Sequence, residues 1–208
     1  MGFALSIYSL FVFYKHESKD IYDMGNITLR QNSNPYIHNN KSVPFRGEKA
    51  VLFDMDGVIV NSDPYHRPEW YEFSQKYNPG LTKEQVSKIM HGRTNQDIIP
   101  EIIGKELSNQ EIDKYSEEKE LIYQKLIEPE IKEVKGFTPF VKSLGRMKRS
   151  IATSAPPMNI DFVLTKLGIA KYFDKSKIVD ASMVIKGKPD PEVYLKAAEK
   201  LGVEPADC

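Results

Sequence analysis

The sequence has a single cysteine, no net charge and no long apolar run, and each lack excludes something. The one cysteine among 208 residues is Cys208, so no disulfide closes within the chain, and a reducing compartment, the cytoplasm, is the expected setting. Twenty-nine Lys and Arg cancel 29 Asp and Glu. That leaves no global field to draw in nucleic acid or an anionic membrane, and neither is expected as a partner. The most apolar stretch, Phe3 to Tyr14, is twelve residues long, against the roughly 20 needed to cross a bilayer. Nothing basic precedes it and no small-residue cleavage site follows, so it lacks the make-up of a secretory signal. No short repeat or low-complexity tract is present. With 40% hydrophobic residues, the chain can bury a core, as one domain or one domain with an insert.

The organising stretch is Ala50-Val51-Leu52-Phe53-Asp54-Met55-Asp56-Gly57-Val58. Four apolar residues in a row suit a short buried strand of a parallel sheet. The run stops at two carboxylates, Asp54 and Asp56, followed by Gly57. On an extended strand residues two apart point the same way. Both carboxylates are then expected to face one small volume beyond the strand's carboxyl end, where open α/β sheets hold ligands. Like charges so close repel unless a metal, a shared proton or a cation relieves them. Aspartates also end strands merely to make turns or caps, and the motif alone leaves both readings open.

Residues 1–48 carry no readable chemistry. Asn26 to Lys41 is rich in Asn and other polar residues and reads as a loop or disordered lead-in, and Met24 offers an alternative start. After the organising stretch, Asn61-Ser62-Asp63-Pro64 is a turn cluster, and residues 65–133 read as helical with no strand. Trp70, Phe73 and Tyr77 share a helix face. Thr82 with Gln85, and Ser108 with Glu111, are capping boxes; the second opens a long helix that ends before Pro129. An alternating pattern resumes near Val134. Thr138-Pro139 reads as a helix start, 149–154 as a strand, and Pro157 as the start of a helix stopped at Gly168. A third strand is expected over 177–180, and a last helix after Asp190-Pro191, closed by Gly202. Strands alternating with helices imply a parallel α/β sheet.

Two further features suit phosphate. Thr153-Ser154 ends the second strand where a hydroxyl and backbone N–H groups lead into a helix, a ready phosphate cradle and equally an ordinary N-cap. Lys188, in Gly187-Lys188-Pro189-Asp190-Pro191, brings the cation that crowded carboxylates and a phosphate gathering charge both require. In this order Asp54-Met55-Asp56-Gly57, Thr153 and the Gly187–Pro191 loop resemble the first three motifs of the haloacid dehalogenase-like (HAD) superfamily. More narrowly, they resemble its branch containing β-phosphoglucomutase and small sugar-phosphate phosphatases. The resemblance covers about residues 49–208.

It implies a Rossmann-like parallel-sheet core, residues 49–64 and 134–208, with an α-helical cap inserted at 65–133. It implies Asp54 as the nucleophile, Asp56 as general acid/base and Lys188 as the cation touching nucleophile and phosphate. Thr153, Ser154 and Gly57 would surround the phosphate, and Mg²⁺ would sit at Asp54 and Asp56. The implied function is hydrolysis of a small phosphorylated metabolite, a sugar phosphate, through an aspartyl-phosphate. The alternative is a phosphomutase that returns the phosphoryl group to sugar.

The cap carries finer hints. Ile112, Tyr115, Lys119, Ile122 and Leu126 follow 3-4-3-4 spacing. Lys119 therefore lies in an apolar stripe, pointing into the cleft like the family's substrate-touching cap lysine, or snorkelling with its charge wet. Tyr65-His66, four before Trp70, is similar to the mutase segment whose histidine couples cap closure to the acid/base. Gly92-Arg93-Thr94 resembles the cap's specificity loop, but the mutase's following arginine is replaced by Asn95, which favours the phosphatase and leaves Arg93 to hold a distal group. The family's fourth motif, an acidic pair after the next core strand, has no counterpart before Cys208. The chain is therefore expected to be C-terminally truncated, with the Asp54 strand left as an edge and Mg²⁺ held weakly. A non-catalytic fragment is the third alternative, and a monomer is expected at full length.

Overall fold

Ala50–Phe53 form strand β1 and Lys148–Ile151 form β2, paired in parallel with Ala50 opposite Lys148 and Phe53 opposite Ile151. The computed structural model describes residues 49–90 and 93–208. The apolar run, the polar lead-in and His91-Gly92 lie outside them. Among the described residues, no helix is long and apolar enough to cross a membrane.

Seven helices follow one another along the described residues. They are α1 (Asp63–Tyr77), α2 (Lys83–Met90), α3 (Asn95–Ile103), α4 (Asn109–Ile127), α5 (Phe137–Ser143), α6 (Pro157–Lys166) and α7 (Glu192–Leu201). Two of the starts are the capping boxes expected from sequence. Thr82 N donates to Gln85 Oε1 at 2.8 Å and Ser108 N to Glu111 Oε2 at 2.9 Å, each satisfying an N–H that the helix leaves over. The α5 start differs from expectation. It falls at Phe137, because Gly136 adopts φ +94° and makes the turn, while the Thr138 hydroxyl bonds Glu133 instead.

The third strand is also shorter than expected. Only Val179 bridges to Ala152, its N–H donating to Ile151 O at 2.9 Å. Two aspartates curtail it. Asp174 accepts from Ser176 N at 3.0 Å and Asp180 from Ser182 N at 2.8 Å, winding the chain into 3₁₀ turns on either side. On the far side of β1, Leu201 and Val203 pack with Ala50, and no strand among the described residues pairs there.

Two apolar clusters organise the molecule. One surrounds the sheet: Phe53 meets Phe137, Phe140 and Phe173 edge-on, with Ile151, Val163 and Leu164 buried beside them. Each such aromatic contributes about 1.5–3 kcal/mol by burial. The other lies among α1 to α4 and holds Trp70, Phe73, Val86, Ile98, Ile99, Ile102 and Ile112. The long helix α4 serves both, with Ile112 in the second and Tyr123 and Ile127 in the first. The chain leaves the sheet and returns to it side by side: Asn61 N donates to Lys132 O at 3.1 Å and Val134 N to Ile59 O at 2.9 Å. That antiparallel contact was not expected where residues 65–133 read as largely helical, with no convincing strand.

Candidate active site

Asp54 is the first residue past β1, and the chain turns back at once. The carbonyl of Met55 accepts from the N–H groups of Val58, Ile59 and Val60 at 3.3, 2.8 and 3.1 Å. Gly57 makes the turn with φ +71°, a left-handed value that side chains resist. Asp56 lies past the end of β1, in an isolated bridge to Val60 that this turn closes. The charge on Asp54 is among the lesser causes that raise its pKa.

Asp54 is held on both oxygens. Oδ2 lies 2.7 Å from Lys188 Nζ and Oδ1 accepts from Met55 N at 2.8 Å. Lys188 also donates to Ala152 O at 3.4 Å and lies 5.0 Å over the Tyr194 ring. β2 stops at Ile151, short of the strand expected over 149–154, and Thr153, buried two residues past it, accepts from Ala155 N at 3.1 Å through Oγ1; Ser154 is exposed just before α6. The two strand ends and the loop carrying Lys188 thus converge on one spot.

That loop is braced by Glu192. Its carboxylate accepts from Ile185 N at 3.0 Å and Lys186 N at 2.8 Å and pairs with Lys196 at 2.9 Å. Lys196 and the two backbone donors hold the Glu192 carboxyl down to about 2. A carboxyl lowered on folding contributes stability above its unfolded value and loses it as pH falls through the folded one. Glu192→Gln is therefore expected to lower the unfolding temperature near neutral pH, and the gap to the parent should close between pH 4.5 and about 2. A gap that stays constant with pH, read by thermal melts across that range, would contradict the bracing.

Asp56 and His66 form the other half. His66 Nε2 is 3.8 Å from Asp56 Oδ1, its Nδ1 is 3.3 Å from Glu69 Oε2, and its ring stacks on Tyr123 at 5.3 Å. Burial raises the Asp56 pKa, helped by the charges on Asp54 and Glu69 and opposed by His66. Burial works against the imidazolium, but the Glu69 hydrogen bond and Asp56 outweigh it and His66 is raised. A carboxyl inclined to hold its proton, beside one ion-paired to lysine, is the division that acid/base chemistry uses.

Mg²⁺ takes hard oxygen donors, commonly one or two carboxylates with water and phosphate oxygens completing its shell. Asp54 and Asp56, both partly exposed, fit that requirement. Among the described residues no group of three or more His, Cys, Asp and Glu suits a metal.

The remaining candidates are engaged elsewhere. Lys119 neither points into a cleft with a free charge nor snorkels to water; it is buried 2.6 Å from both Glu69 Oε1 and Glu120 Oε1. Burial would lower its pKa, yet the two carboxylates raise it. Arg93 pairs with Glu101 and donates to Asp97 O at 3.0 Å and to Ile89 O at 3.4 Å, tying α3 to the end of α2. Thr94 caps α3, its N and Oγ1 both donating to Asp97 Oδ2, and Asn95 reaches Ser116 on α4 at 3.2 Å. Glu69, Glu120 and Tyr123 were missed from sequence. A signal existed for Glu69, which falls three after His66 and four before Phe73, on the buried face.

Residues 48–208 match the model of the haloacid dehalogenase-like hydrolases. The chain belongs to this family. It is 32% identical over 163 residues to a phosphorylated carbohydrates phosphatase of Thermotoga maritima, covering 76% of this chain and 72% of that one. It is 30% identical over 167 residues to the β-phosphoglucomutase of Bacillus subtilis, covering 77% and 73%. A solved HAD hydrolase of family IA, variant 3, from Entamoeba histolytica superposes with a TM-score of 0.66 at 35% identity, over 74% of this chain and 71% of that one. The fold is the α/β fold of HAD proteins, and the chain is an enzyme of the phosphatase or phosphomutase kind.

Proposed function

We propose that this HAD hydrolase is a Mg²⁺-dependent phosphatase of small phosphorylated metabolites, sugar phosphates foremost, acting through an aspartyl-phosphate in a cytoplasmic setting. The observation that carries the reading is the 2.7 Å pairing of Asp54 with Lys188 at the spot where the ends of β1 and β2 meet. Asp54 attacks phosphorus in line with the leaving alcohol. As that phosphorus–oxygen bond breaks, Asp56 passes its proton to the departing oxygen. In the second half, Asp56 takes a proton from water as the water's oxygen attacks phosphorus and frees Asp54. Lys188 and the Thr153 hydroxyl hold the phosphate oxygens, with Ser154 and Gly57 at its rim. Mg²⁺ at Asp54 and Asp56 would neutralise charge gathering on the phosphate.

Residues 65–133 serve as the cap, closing over the carboxylates and excluding water, which strengthens every charge interaction there. Asp56 stands on the sheet side and His66 on the cap side of that closure, so their 3.8 Å approach belongs to the closed form. A phosphomutase is the second reading, favoured by His66 and by the likeness to the Bacillus β-phosphoglucomutase.

The test is phosphate release from a panel of sugar monophosphates by the protein with Mg²⁺, with and without EDTA. Metal-dependent release of inorganic phosphate supports the phosphatase. Isomerised sugar phosphate without release makes it a mutase, and turnover that EDTA leaves unchanged overturns the metal assignment.

A further inference from the structure

Glu69 lies one helical turn after His66 on α1 and is wholly buried. Its two oxygens serve two helices, Oε2 facing His66 Nδ1 at 3.3 Å and Oε1 facing Lys119 Nζ of α4 at 2.6 Å. The chain of contacts continues outward. Lys119 meets Glu120 at 2.6 Å, and the other Glu120 oxygen accepts from Asn159 Nδ2 of α6 at 2.7 Å. Glu69 therefore does not float with its helix; it is pinned through Lys119 and Glu120 to a helix that packs on the sheet.

The imidazole of His66 is gripped in turn. Glu69 holds one nitrogen, the Tyr123 ring lies parallel to its face within 5°, and the other nitrogen is aimed at Asp56. The partner of one imidazole nitrogen fixes where the other points. Burying a carboxylate costs several kcal/mol unless it is fully paired, and an apolar residue would pack among α1 and α4 without that cost. The expense makes sense if the charge orients something.

We propose that Glu69 is a positioning residue for the acid/base step: through His66 it aims the Asp56 carboxyl at the leaving oxygen of the substrate. The proposal rests on the phosphatase reading. In the step concerned, the bond from Asp54 to phosphorus forms, the bond from phosphorus to the leaving oxygen breaks, and the Asp56 proton goes to that oxygen. A basic leaving group needs the proton delivered along one direction, whereas 4-nitrophenolate departs without it.

Two aryl phosphates that differ by one para substituent separate the roles. The full chain with Mg²⁺, its Glu69→Gln variant and its Glu120→Gln variant are compared on 4-nitrophenyl phosphate and phenyl phosphate. Glu69→Gln is expected to lose about 10-fold or more in kcat on phenyl phosphate, the lower end of what general acid catalysis supplies, and to stay within about threefold on 4-nitrophenyl phosphate. Glu120→Gln, which loosens Lys119 and so the pinning of Glu69, is expected to shift the ratio of the two rates in the same direction and by less. If Glu69→Gln does not fold, the ratio is read in Glu69→Asp, which keeps the buried charge but draws it back from His66. Equal losses on both substrates would make Glu69 a packing residue and overturn the proposal alone. No turnover of either substrate by the parent would overturn the phosphatase reading and the proposal with it.

Discussion

Asp54→Asn is expected to reduce phosphate release by about 10³-fold or more, some 4 kcal/mol of transition-state stabilisation, while the protein stays folded. The carboxamide keeps the shape but not the nucleophile, since its oxygen is neutral and its nitrogen cannot displace an alkoxide from phosphorus. Its amide protons would also meet Lys188, which now sits 2.7 Å from a carboxylate oxygen. Stability should change little. Asp54 is partly exposed, and removing its charge relieves part of what raises the Asp56 pKa. The measurement pairs initial rates on the best sugar phosphate with a thermal melt. Full activity in the variant would sink the covalent scheme, whatever the melt shows.

Lys119→Met is expected to do the reverse, unfolding the protein more readily without entering the chemistry directly. Lys119 stands between Glu69 and Glu120, 2.6 Å from each. Removing one partner of a buried ion pair costs about 3–5 kcal/mol because the remaining charge is left uncompensated, and here two carboxylates are left facing each other. For a chain of this size that is a fall in unfolding temperature of roughly 6–20 °C.

The loss should shrink in acid. Burial already raises the Glu120 pKa. A carboxyl raised on folding contributes stability below its unfolded pKa and forfeits it as pH rises through the folded value. Protonating Glu120 removes the repulsion. Adding Glu69→Gln and Glu120→Gln to the same chain should recover much of the loss, as an uncharged cluster often matches a buried ionic one. Were Lys119 a substrate contact instead, its methionine variant would raise KM with the melt unmoved.

The contrast between these residues explains what could be read in advance. The places of Asp54, Thr153 and Lys188 were legible because each follows a strand or sits in a Gly/Pro loop, where chain order and local pattern dictate position. The starts of α2 and α4 were legible for a related reason, since a capping box is completed within four residues. Lys119 was half legible: its spacing put it in the buried stripe, but its partners lie on α1 and beside it on α4. Only tertiary packing decides between an open cleft and two carboxylates. Arg93 and Thr94, read from sequence as substrate contacts, are engaged locally through Ile89, Asp97 and Glu101, which no local pattern announced. The strand expected over 177–180 was lost to two aspartates whose preference for their own N–H two residues on outweighed the apolar run between them.

The double allegiance of α4 joins two regions of core that would otherwise be separate. Tyr123 and Ile127 lie in the cluster beside the sheet and Ile112 in the cluster among the other helices. Nineteen residues span roughly 28 Å, so one continuous rod carries both. A single substitution that breaks this helix, such as a proline at its middle, would therefore loosen both clusters at once.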